Sequence, residues 1–312
     1  MNSLPRVGII GGGLFGLSTA IQLDRKYNVT VFEQFDDILC GATYANHNRH
    51  HYGFHYPRSP ETAIQCIESA NEFEKVYNDS LVWNFDNYYC VSKENSKTTA
   101  EEYIKFCNNV GLEYIEEWPS EGVLEKNKID LCLKVKEGVY SFELLKKIVK
   151  QRLEKTSTVD ILFNNKVNSG FLENDSTKVL CANSSGALVE HRFDFVINAM
   201  YANYNKFCQW FDLEPQHFQF NLQELDIIEL PDVEKIGITI QDGPFPSFLP
   251  IGNTNRYLLA HVITSQLIRE VSKGSIPLTQ RLNYLESNWH SIQKSCQEYI
   301  PLLKKANYIK SI

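Results

Sequence analysis

A glycine-rich turn near the start of the chain constrains the fold more than any other feature of the sequence. The apolar run Arg6–Ile10 leads directly into the hexapeptide 11–16, which reads Gly-Gly-Gly-Leu-Phe-Gly. Apolar residues then recur at helical spacing, and a second β-branched run, Asn28–Phe32, ends at Glu33. A buried strand, a helix and a second strand within about thirty residues are typical of a βαβ unit. The sequence therefore predicts an α/β fold that begins with a Rossmann-type unit.

The glycines of this turn meet the steric requirements of dinucleotide binding. Gly11 permits the tight turn, Gly13 lets the backbone approach a pyrophosphate, and Gly16 allows the helix to pack on the strand. Glu33, 22 residues after Gly11, places a carboxylate where the hydroxyl groups of an adenosine ribose bind. The next residue is Gln34 and not an arginine, so FAD and NAD are favoured over NADP. The alternative is a turn of this shape that binds no ligand.

Length, composition and charge predict a compact soluble protein. The 312 residues suffice for about two domains, and the contents of 43% hydrophobic and 22% charged residues are ordinary for a globular chain. The net charge of −7 is opposite to that of a general nucleic-acid binder. No run approaches the ~18 apolar residues of a membrane span, and the start lacks a signal-peptide pattern. The eight cysteines are scattered without a C-x-x-C pair, so we expect reduced thiols in a cytoplasmic protein.

Hydrophobic periodicity predicts three further helices and a change to strands downstream. The helices begin at Pro60 after the N-cap Ser59, span 98–110 with a stop at Gly111, and span 141–153. Strands are predicted at 159–163, 178–182 and 193–197, followed over 222–262 by an antiparallel meander with strands at 225–230, 236–240, 247–251 and 256–262.

The segment 41–58 is dense in histidine and aromatic residues. It holds four of the eight histidines, namely His47, His50, His51 and His55. These imidazoles could ligate a metal, but the segment offers no cysteine or carboxylate, and Gly53 and Pro57 prevent a helix that would align them. A solvated polar loop is the stronger alternative. The aromatic residues favour burial instead, and they are Tyr44, Tyr52, Phe54 and Tyr56.

The glycine-rich turn, Glu33 and the segment 41–53 resemble the FAD-dependent oxidoreductases of the D-amino-acid oxidase type. That family includes glycine and sarcosine oxidases and L-2-hydroxyglutarate oxidase. The resemblance implies that the first βαβ unit binds the ADP half of FAD and that the following loop passes beneath the flavin ring. The cofactor contacts it implies are Gly11, Gly13, Leu14, Phe15, Gly16, Glu33, Gln34, Ala42, Thr43, Asn46, Val167 and Ala199.

Within that set, the resemblance gives each group a place on the cofactor. Ala42, Thr43 and Asn46 would contact the pyrophosphate and the ribityl chain, and Val167 would contact the adenine. Ala199 would end the strand that returns beside the cofactor. Met200 and Tyr201 then stand where the family has a small residue and a glycine.

The same resemblance implies two interwoven domains. An FAD-binding domain would comprise 1–80, 141–202 and 263–312, and an inserted mixed or antiparallel sheet over 81–140 and 203–262 would form the substrate domain. Family members continue past a helix that corresponds to 278–292 into a Gly-x-Arg segment with a final strand and helix. The chain ends at Ile312, so we expect that element to be missing.

By resemblance, the activity would be oxidation of a small amine, amino acid or hydroxy acid by hydride transfer to flavin. Arg49 and His51 would lie near the isoalloxazine. Arg49 or Arg58 could pair with a substrate carboxylate, and His51 or His55 could accept a proton near neutral pH. Candidates for lining the substrate lobe are Tyr88, Tyr89, Phe245, Phe248, Arg256 and Tyr257.

Two other functions remain open at this point. An NAD-dependent dehydrogenase would use the same βαβ unit, although it has no evident need for the long loop over 41–58. A non-catalytic remnant of the flavoprotein fold would bind nucleotide without turnover, as the expected loss of the C-terminal element suggests.

Overall fold

A computed structural model describes residues 3–184, 186–274 and 286–312. The start of the helix predicted over 278–292 lies outside these residues. The chain forms two compact units, each built from separate segments of the sequence. Unit 1 comprises Met1–Ala45, Lys146–Phe220 and Arg269–Asn283, and unit 2 comprises Asn46–Leu145, Asn221–Ile268 and Tyr284–Ile312. The division into a cofactor domain and a substrate domain stays a prediction, because compactness does not decide which segments contact a ligand.

The helices confirm the periodicity of the sequence. They are α1 (Leu14–Leu23), α2 (Pro60–Tyr77), α3 (Ala100–Val110), α4 (Phe142–Leu153), α5 (Tyr204–Trp210) and α6 (Trp289–Gln297), with short 3-10 helices at Asn78–Ser80, Tyr201–Asn203 and Pro301–Lys305. Ser59 is the N-cap of α2, and Gly111 ends α3 in the left-handed conformation at φ 75°. None of the helices in the described ranges is long and apolar enough to cross a membrane.

The strands of the described residues form one parallel sheet and several antiparallel or mixed ones. In chain order they are β1 (Arg6–Ile10), β2 (Asn28–Phe32), β3 (Leu81–Val82), β4 (Asp86–Ser92), β5 (Tyr114–Glu116), β6 (Ile129–Val135), β7 (Val139–Tyr140), β8 (Val159–Leu162), β9 (Lys166–Leu172), β10 (Lys178–Ser184), β11 (Ala187–Phe193), β12 (Phe195–Asn198), β13 (Phe218–Gln223), β14 (Asp226–Glu229), β15 (Ile236–Gln241), β16 (Pro246–Pro250), β17 (Arg256–His261), β18 (Gln266–Ser272) and β19 (Asn307–Ser311).

Unit 1 contains the predicted βαβ unit in a parallel sheet of order β12-β1-β2-β8. The antiparallel strands β9, β10 and β11 form a second sheet. Apolar side chains from both sheets, including Phe32, Val167 and Phe193, pack in one buried cluster. The single strand predicted over 193–197 is instead divided at Asp194, whose carboxylate accepts a hydrogen bond from the Arg6 backbone N–H at 2.7 Å.

Unit 2 is built on an eight-stranded sheet of order β19-β14-β17-β16-β15-β4-β6-β5. The predicted meander over 222–262 is correct for β15 to β17, but wrong for β14, which pairs with β17 and β19. Strand β15 is buried at all six positions, so it is central, and it pairs in parallel with β4. Successive side chains of β4 lie on opposite faces of the sheet. Tyr88 packs in the cluster that contains α6 residues, and Tyr89 packs in the cluster that contains α3 residues.

Candidate active site

In the glycine-rich turn of unit 1, the backbone leaves no room for a side chain at Gly11 or Gly16. A Cβ atom at Gly16 would lie 2.1 Å from the Gly11 carbonyl oxygen. One at Gly11, where φ is 116°, would lie 2.6 Å from the Ala199 carbonyl oxygen. The Ala199 backbone N–H donates in turn to the Ile10 carbonyl oxygen at 3.0 Å. The first turn of α1 is therefore held close against the ends of β1 and β12.

Gly13, the N-cap residue of α1, has room for a Cβ atom. The nearest atom to a Cβ placed there is Thr43 Oγ1 at 3.7 Å. That same oxygen accepts a hydrogen bond from the Leu14 backbone N–H at 3.2 Å, while the neighbouring Phe15 is 87% exposed. A helix N-terminus presents N–H groups and a partial positive charge to an anion. The space beside Gly13 therefore fits a pyrophosphate.

Glu33 lies beside this turn with its carboxylate fixed by two backbone donors. Its Oε2 accepts from the Gly12 N–H at 2.8 Å, and its Oε1 accepts from the Phe35 N–H at 3.0 Å. A carboxylate has about four acceptor positions, so each oxygen can still accept a hydroxyl group. Glu33 is 6% exposed, whereas Gln34 is exposed. This arrangement fits the ribose of an adenine dinucleotide.

The loop that follows Glu33 is anchored at two points. The Leu39 N–H donates to the Gly12 carbonyl oxygen at 2.9 Å. Asp37 accepts from the ammonium groups of Lys146 and Lys150 at 2.8 and 2.9 Å. Burial alone would raise the pKa of Asp37, but these two cations lower it to about 2. The anchored loop continues to the exposed Ala42 and to Thr43.

In unit 2, the histidine-rich segment forms a short antiparallel pairing that places Arg49. The His50 N–H donates to the Gly138 carbonyl oxygen at 3.0 Å, and the Tyr140 N–H donates to the Asn48 carbonyl oxygen at 2.8 Å. Asn46 lies next to this pairing, with its Nδ2 donating to the Tyr140 hydroxyl at 2.8 Å. The segment is thus fixed by backbone and side-chain hydrogen bonds, and the solvated-loop alternative is wrong.

Arg49 is almost completely buried and bonded to four protein side chains. Its Nη2 donates to Thr239 Oγ1 at 2.7 Å and to Ser247 Oγ at 2.9 Å, and its Nη1 donates to the Tyr89 hydroxyl. Nη1 also lies 3.6 Å from Glu137 Oε1, and the side chain is 4% exposed. We name these five residues the Arg49 cluster. Burial lowers the pKa of Arg49, but Tyr89 and Glu137 outweigh it and raise that pKa.

Glu137 is the acidic member of the Arg49 cluster. Its side chain is 0% exposed, and the Tyr89 hydroxyl lies 3.0 Å from both of its carboxylate oxygens. Burial raises the pKa of Glu137 to about 7, against the opposing effects of Arg49 and Tyr89. A buried ion pair that keeps its hydrogen bonds is stable, whereas either charge alone in the same place is not.

Three histidines near Arg49 are held in the neutral form. Burial, reinforced by the Arg49 charge, lowers the pKa of His47 to about 3 and that of His51 to about 2. His55 is more exposed, yet the atoms around it and the Arg49 charge lower its pKa to about 4. His51 Nδ1 lies 4.0 Å from Glu137 Oε1. Among the described residues, neither His51 Nδ1 nor His47 Nε2 has a hydrogen-bond partner.

The remaining predicted polar residues have structural partners. His50 Nε2 lies 2.9 Å from Glu74 Oε1, which also accepts from the Tyr52 hydroxyl. Arg58 donates to both carboxylate oxygens of Asp242, at 2.6 and 3.1 Å. In the part of the chain that the structure describes, no three His, Cys, Asp or Glu side chains are grouped as metal ligands.

Five of the six residues predicted to line the substrate lobe are buried in unit 2, and the sixth is exposed. Tyr89 belongs to the Arg49 cluster, and Arg256 is exposed at the start of β17. The other four pack in the hydrophobic core around α6 and are Tyr88, Phe245, Phe248 and Tyr257.

Sequence reasoning missed Glu137, Thr239 and Ser247. Thr239 had a signal, because it is a polar residue inside the otherwise apolar strand Ile236–Ile240. Glu137 had none, since it occurs among ordinary polar residues. Ser247 begins a predicted strand, where a small polar residue is unremarkable.

Comparison with known sequences identifies related proteins. Residues 6–222 match the DAO family, described as FAD dependent oxidoreductase. The FAD-dependent monooxygenase FPY4 of Fusarium mangiferae is 29% identical over 246 residues, covering 78% of this chain and 60% of that protein. The FAD-dependent monooxygenase kojA of Aspergillus flavus is 33% identical over 108 residues, covering 33% of this chain and 25% of that protein. The chain thus spans less than two thirds of these relatives.

Solved structures share the fold over nearly the whole chain. Glycine oxidase from Geobacillus kaustophilus matches with a TM-score of 0.72 and 15% identity, over 98% of this chain and 81% of that one. L-Proline dehydrogenase from P. horikoshii matches with a TM-score of 0.69 and 13% identity, over 100% and 81%. L-α-Glycerophosphate oxidase from Mycoplasma pneumoniae, with FAD bound, matches with a TM-score of 0.67 and 14% identity, over 100% and 82%.

These matches agree with the cofactor site of unit 1. The family match begins at Arg6, at the start of β1, and includes the glycine-rich turn, Glu33, Val167 and Ala199. An adenine dinucleotide whose pyrophosphate lies at the N-terminus of α1 fits the space that the structure leaves beside Gly13. The chain belongs to the DAO family of FAD-dependent oxidoreductases, whose cofactor is FAD.

Proposed function

We propose that this chain oxidises a small amine, amino acid or hydroxy acid by loss of hydride from a substrate carbon. The observation that carries the proposal is the open space beside Gly13 at the N-terminus of α1, with the Glu33 carboxylate fixed on the same turn. The substrate class is supported by the names of the structural neighbours, which include glycine oxidase, L-proline dehydrogenase and L-α-glycerophosphate oxidase.

Unit 1 supplies the residues that would hold the ADP half of FAD. Gly11, Gly13 and Gly16 keep the turn free of side chains, and the N–H groups of Leu14 and Phe15 would face the pyrophosphate. Glu33 would accept the ribose hydroxyl groups. Further contacts within unit 1 would come from Gln34, Ala42, Thr43, Val167 and Ala199. When bound, FAD supplies the acceptor for the hydride.

The histidine-rich segment would supply the proton acceptor. A neutral imidazole can take a proton from an ammonium or hydroxyl group, and the Arg49 charge and burial keep His51 neutral at physiological pH. We propose His51 as that acceptor and His55 as a second polar contact to the substrate. Arg49 would act through its buried charge, because its Nη atoms already donate to protein oxygens. Arg58 is also occupied, since it donates to both carboxylate oxygens of Asp242.

The two alternatives left open by the sequence are not favoured. The DAO family match over residues 6–222 favours FAD over NAD, and it favours an enzyme over a non-catalytic remnant.

One experiment separates these functions. The protein is reconstituted with FAD and mixed without oxygen with a panel of amines, amino acids and 2-hydroxy acids, while the flavin absorbance is followed. We expect bleaching with at least one class, and we expect His51→Ala to slow it by about 100-fold or more, as for loss of a positioned proton acceptor. Glu298→Gln, an exposed position in unit 2, is the control. Protein that binds FAD but stays oxidised with the whole panel contradicts the proposal.

Oxygen insertion is a second candidate, since the relative with 29% identity over 246 residues is named a monooxygenase. Turnover under isotope-labelled oxygen gas distinguishes the two. A product that contains the label indicates a monooxygenase, whereas an unlabelled imine or carbonyl product accompanied by hydrogen peroxide indicates an oxidase.

A further inference from the structure

A buried carboxylate that the sequence did not single out faces His51. Glu137 lies in the short connection between β6 and β7, and its carbonyl oxygen accepts from Asn87 Nδ2 at 2.9 Å. Its side chain is completely buried. The backbone and the carboxylate are both fixed, so the direction of this charge is set by the fold.

Groups from three separate parts of the chain, namely β4, α2 and the histidine-rich segment, surround the Glu137 carboxylate. Tyr89 on β4 lies 3.0 Å from both oxygens, and the Arg49 guanidinium lies at 3.6 Å. The Tyr52 backbone N–H also donates to it. Cys66 on α2 is close enough for the Glu137 charge to add to the rise of its thiol pKa. His51 Nδ1, at 4.0 Å, completes the set.

The hydrogen-bond directions leave Glu137 free to accept from His51. A tyrosine has one O–H donor. Because the Tyr89 hydroxyl accepts from Arg49 Nη1, its own proton is available for Glu137. Glu137 therefore accepts from Tyr89 and Tyr52, and a carboxylate has further acceptor positions.

His51 Nδ1 is buried without a hydrogen-bond partner among the described residues. An unpaired buried polar atom is unfavourable by roughly 1–3 kcal/mol. Nδ1 is 4.0 Å from Glu137 Oε1, and shortening that distance to about 2.9 Å would form a hydrogen bond. A small movement of the ring is sufficient.

We propose that Glu137 is the positioning residue for His51, orienting its Nδ1–H and stabilising the imidazolium that forms when Nε2 takes a proton from the substrate. This inference rests on the proposed function. In the step, the substrate N–H or O–H bond breaks and its electron pair stays on the substrate nitrogen or oxygen. The proton forms a new bond to Nε2, and the hydride leaves the substrate carbon separately with its own electron pair for FAD.

The charges around His51 explain why such a partner is needed. Burial and the Arg49 charge lower the pKa of His51, and a proton on a neighbouring histidine would lower it further. These effects oppose the protonated form that the step creates. An ionised Glu137 is the anion that offsets them, and Arg49 and Tyr89 favour its ionised form.

The first test is the pH dependence of FAD reduction under anaerobic conditions. In the wild type, we expect the rate to rise with the ionisation of Glu137, whose pKa is about 7. Glu137→Gln should lose this rise and slow reduction by about 100-fold or more. Tyr89→Phe should move the rise to higher pH. The hydrogen bond from Tyr89 lowers the pKa of Glu137, so its removal raises that pKa. Glu137→Asp should restore the rise in part, and Glu298→Gln should match the wild type.

A second measurement needs no turnover. Nitrogen NMR of histidine-labelled, FAD-loaded protein reports which nitrogen of neutral His51 carries the proton, with the signal assigned by His51→Asn. We expect the Nδ1–H form to increase with the ionisation of Glu137 in the wild type and to be independent of pH in Glu137→Gln. FAD titration and circular dichroism verify that each variant is folded.

The outcomes separate this inference from the proposed function. If no substrate reduces FAD in the wild type, the proposed function fails, and the NMR titration still decides the pairing of Glu137 with His51. If Glu137→Gln keeps the wild-type pH profile, or if His51 shows the same tautomer in both proteins at every pH, the positioning role is wrong.

Discussion

The glycine-rich turn of unit 1 and the Arg49 cluster of unit 2 are built in opposite ways. The turn is contiguous in sequence, and its shape depends on the absence of side chains at Gly11 and Gly16. The Arg49 cluster depends on side chains that come from separate elements, and its polar groups balance one another in a buried place. Substitution in the turn therefore acts by steric overlap, whereas substitution in the cluster acts by leaving a charge or donor unpaired.

The largest effect is expected in the turn. Gly16→Ala places a Cβ 2.1 Å from the Gly11 carbonyl oxygen, so the backbone contact between α1 and β1 must break. We expect loss of FAD binding and a large fall in the melting temperature. Gly41→Ala is the control, because no atom of the described residues, other than its chain neighbours, lies within 4 Å of its Cβ position. A stable Gly16→Ala protein with wild-type FAD affinity would contradict the claim that substitution in the turn acts by steric overlap.

In the cluster, Arg49→Met leaves the Glu137 carboxylate buried without its cation. Removing one partner of a buried pair lowers the free energy of unfolding by about 3–5 kcal/mol. The matched control is Arg58→Met, since Arg58 forms an exposed pair with Asp242, and such pairs contribute up to about 1 kcal/mol. Urea unfolding measures both. If the two substitutions lowered the free energy of unfolding equally, burial would not determine how much an arginine–carboxylate pair contributes to stability.

The pH dependence of the free energy of unfolding tests the electrostatics of the Arg49 cluster. The folded-state pKa of Glu137 is about 7, above its ordinary value of 4.5. Between these values the folded protein binds more protons than the unfolded chain, so the free energy of unfolding falls as pH rises, by roughly 3 kcal/mol. The lowered pKa values of His47 and His51 act in the opposite direction. Urea unfolding from pH 4.5 to 7 should show a less negative slope in Glu137→Gln, and an identical slope would contradict the assignment.

The smallest effect is expected at Glu33, where one side chain meets the turn. Glu33→Gln keeps one acceptor oxygen but loses the charge, and hydrogen bonds to charged groups contribute about 1.5–3 kcal/mol. We expect FAD affinity to fall by roughly 10- to 100-fold. The melting temperature should fall slightly, because the Gly12 or Phe35 N–H loses its acceptor. Glu173→Gln, an exposed carboxylate of the same unit paired with Arg192, is the control. Equal FAD affinity in both variants would remove Glu33 from the site.

The comparison also explains which parts the sequence predicted. The βαβ unit and the start of α2 follow from local spacing and capping residues such as Ser59 and Pro60, and the structure confirms them. The bounds of α3 and α4 are confirmed to within two residues. The pairing of β14 with β17 and β19 was missed, because strand order depends on contacts that are distant in sequence. Glu137 was missed for the same reason, since only the fold brings it to Arg49 and Tyr89.

The role expected for Arg49 illustrates the limit of residue type as a guide. An arginine in a histidine-rich segment suggests a carboxylate anchor, and nothing local argues against it. Its actual donors reach Thr239 and Ser247, which are about two hundred residues further along the chain, 190 and 198 positions away. The sequence of the segment showed which side chains could donate hydrogen bonds or accept protons. It did not show the distant residues that Arg49 contacts.

The most direct test of the account is an FAD titration of the wild type and Gly13→Ala, read from protein fluorescence and flavin absorbance. Apart from its own chain neighbours, the one atom of the described residues within 4 Å of a Cβ at Gly13 is Thr43 Oγ1 at 3.7 Å, so the variant should fold with an unchanged melting temperature. The added methyl group would occupy the space assigned to the pyrophosphate. We predict tight FAD binding by the wild type and affinity weakened by about 10-fold or more in Gly13→Ala. A wild-type protein that takes up no FAD, or a Gly13→Ala protein that binds it equally well, would contradict it.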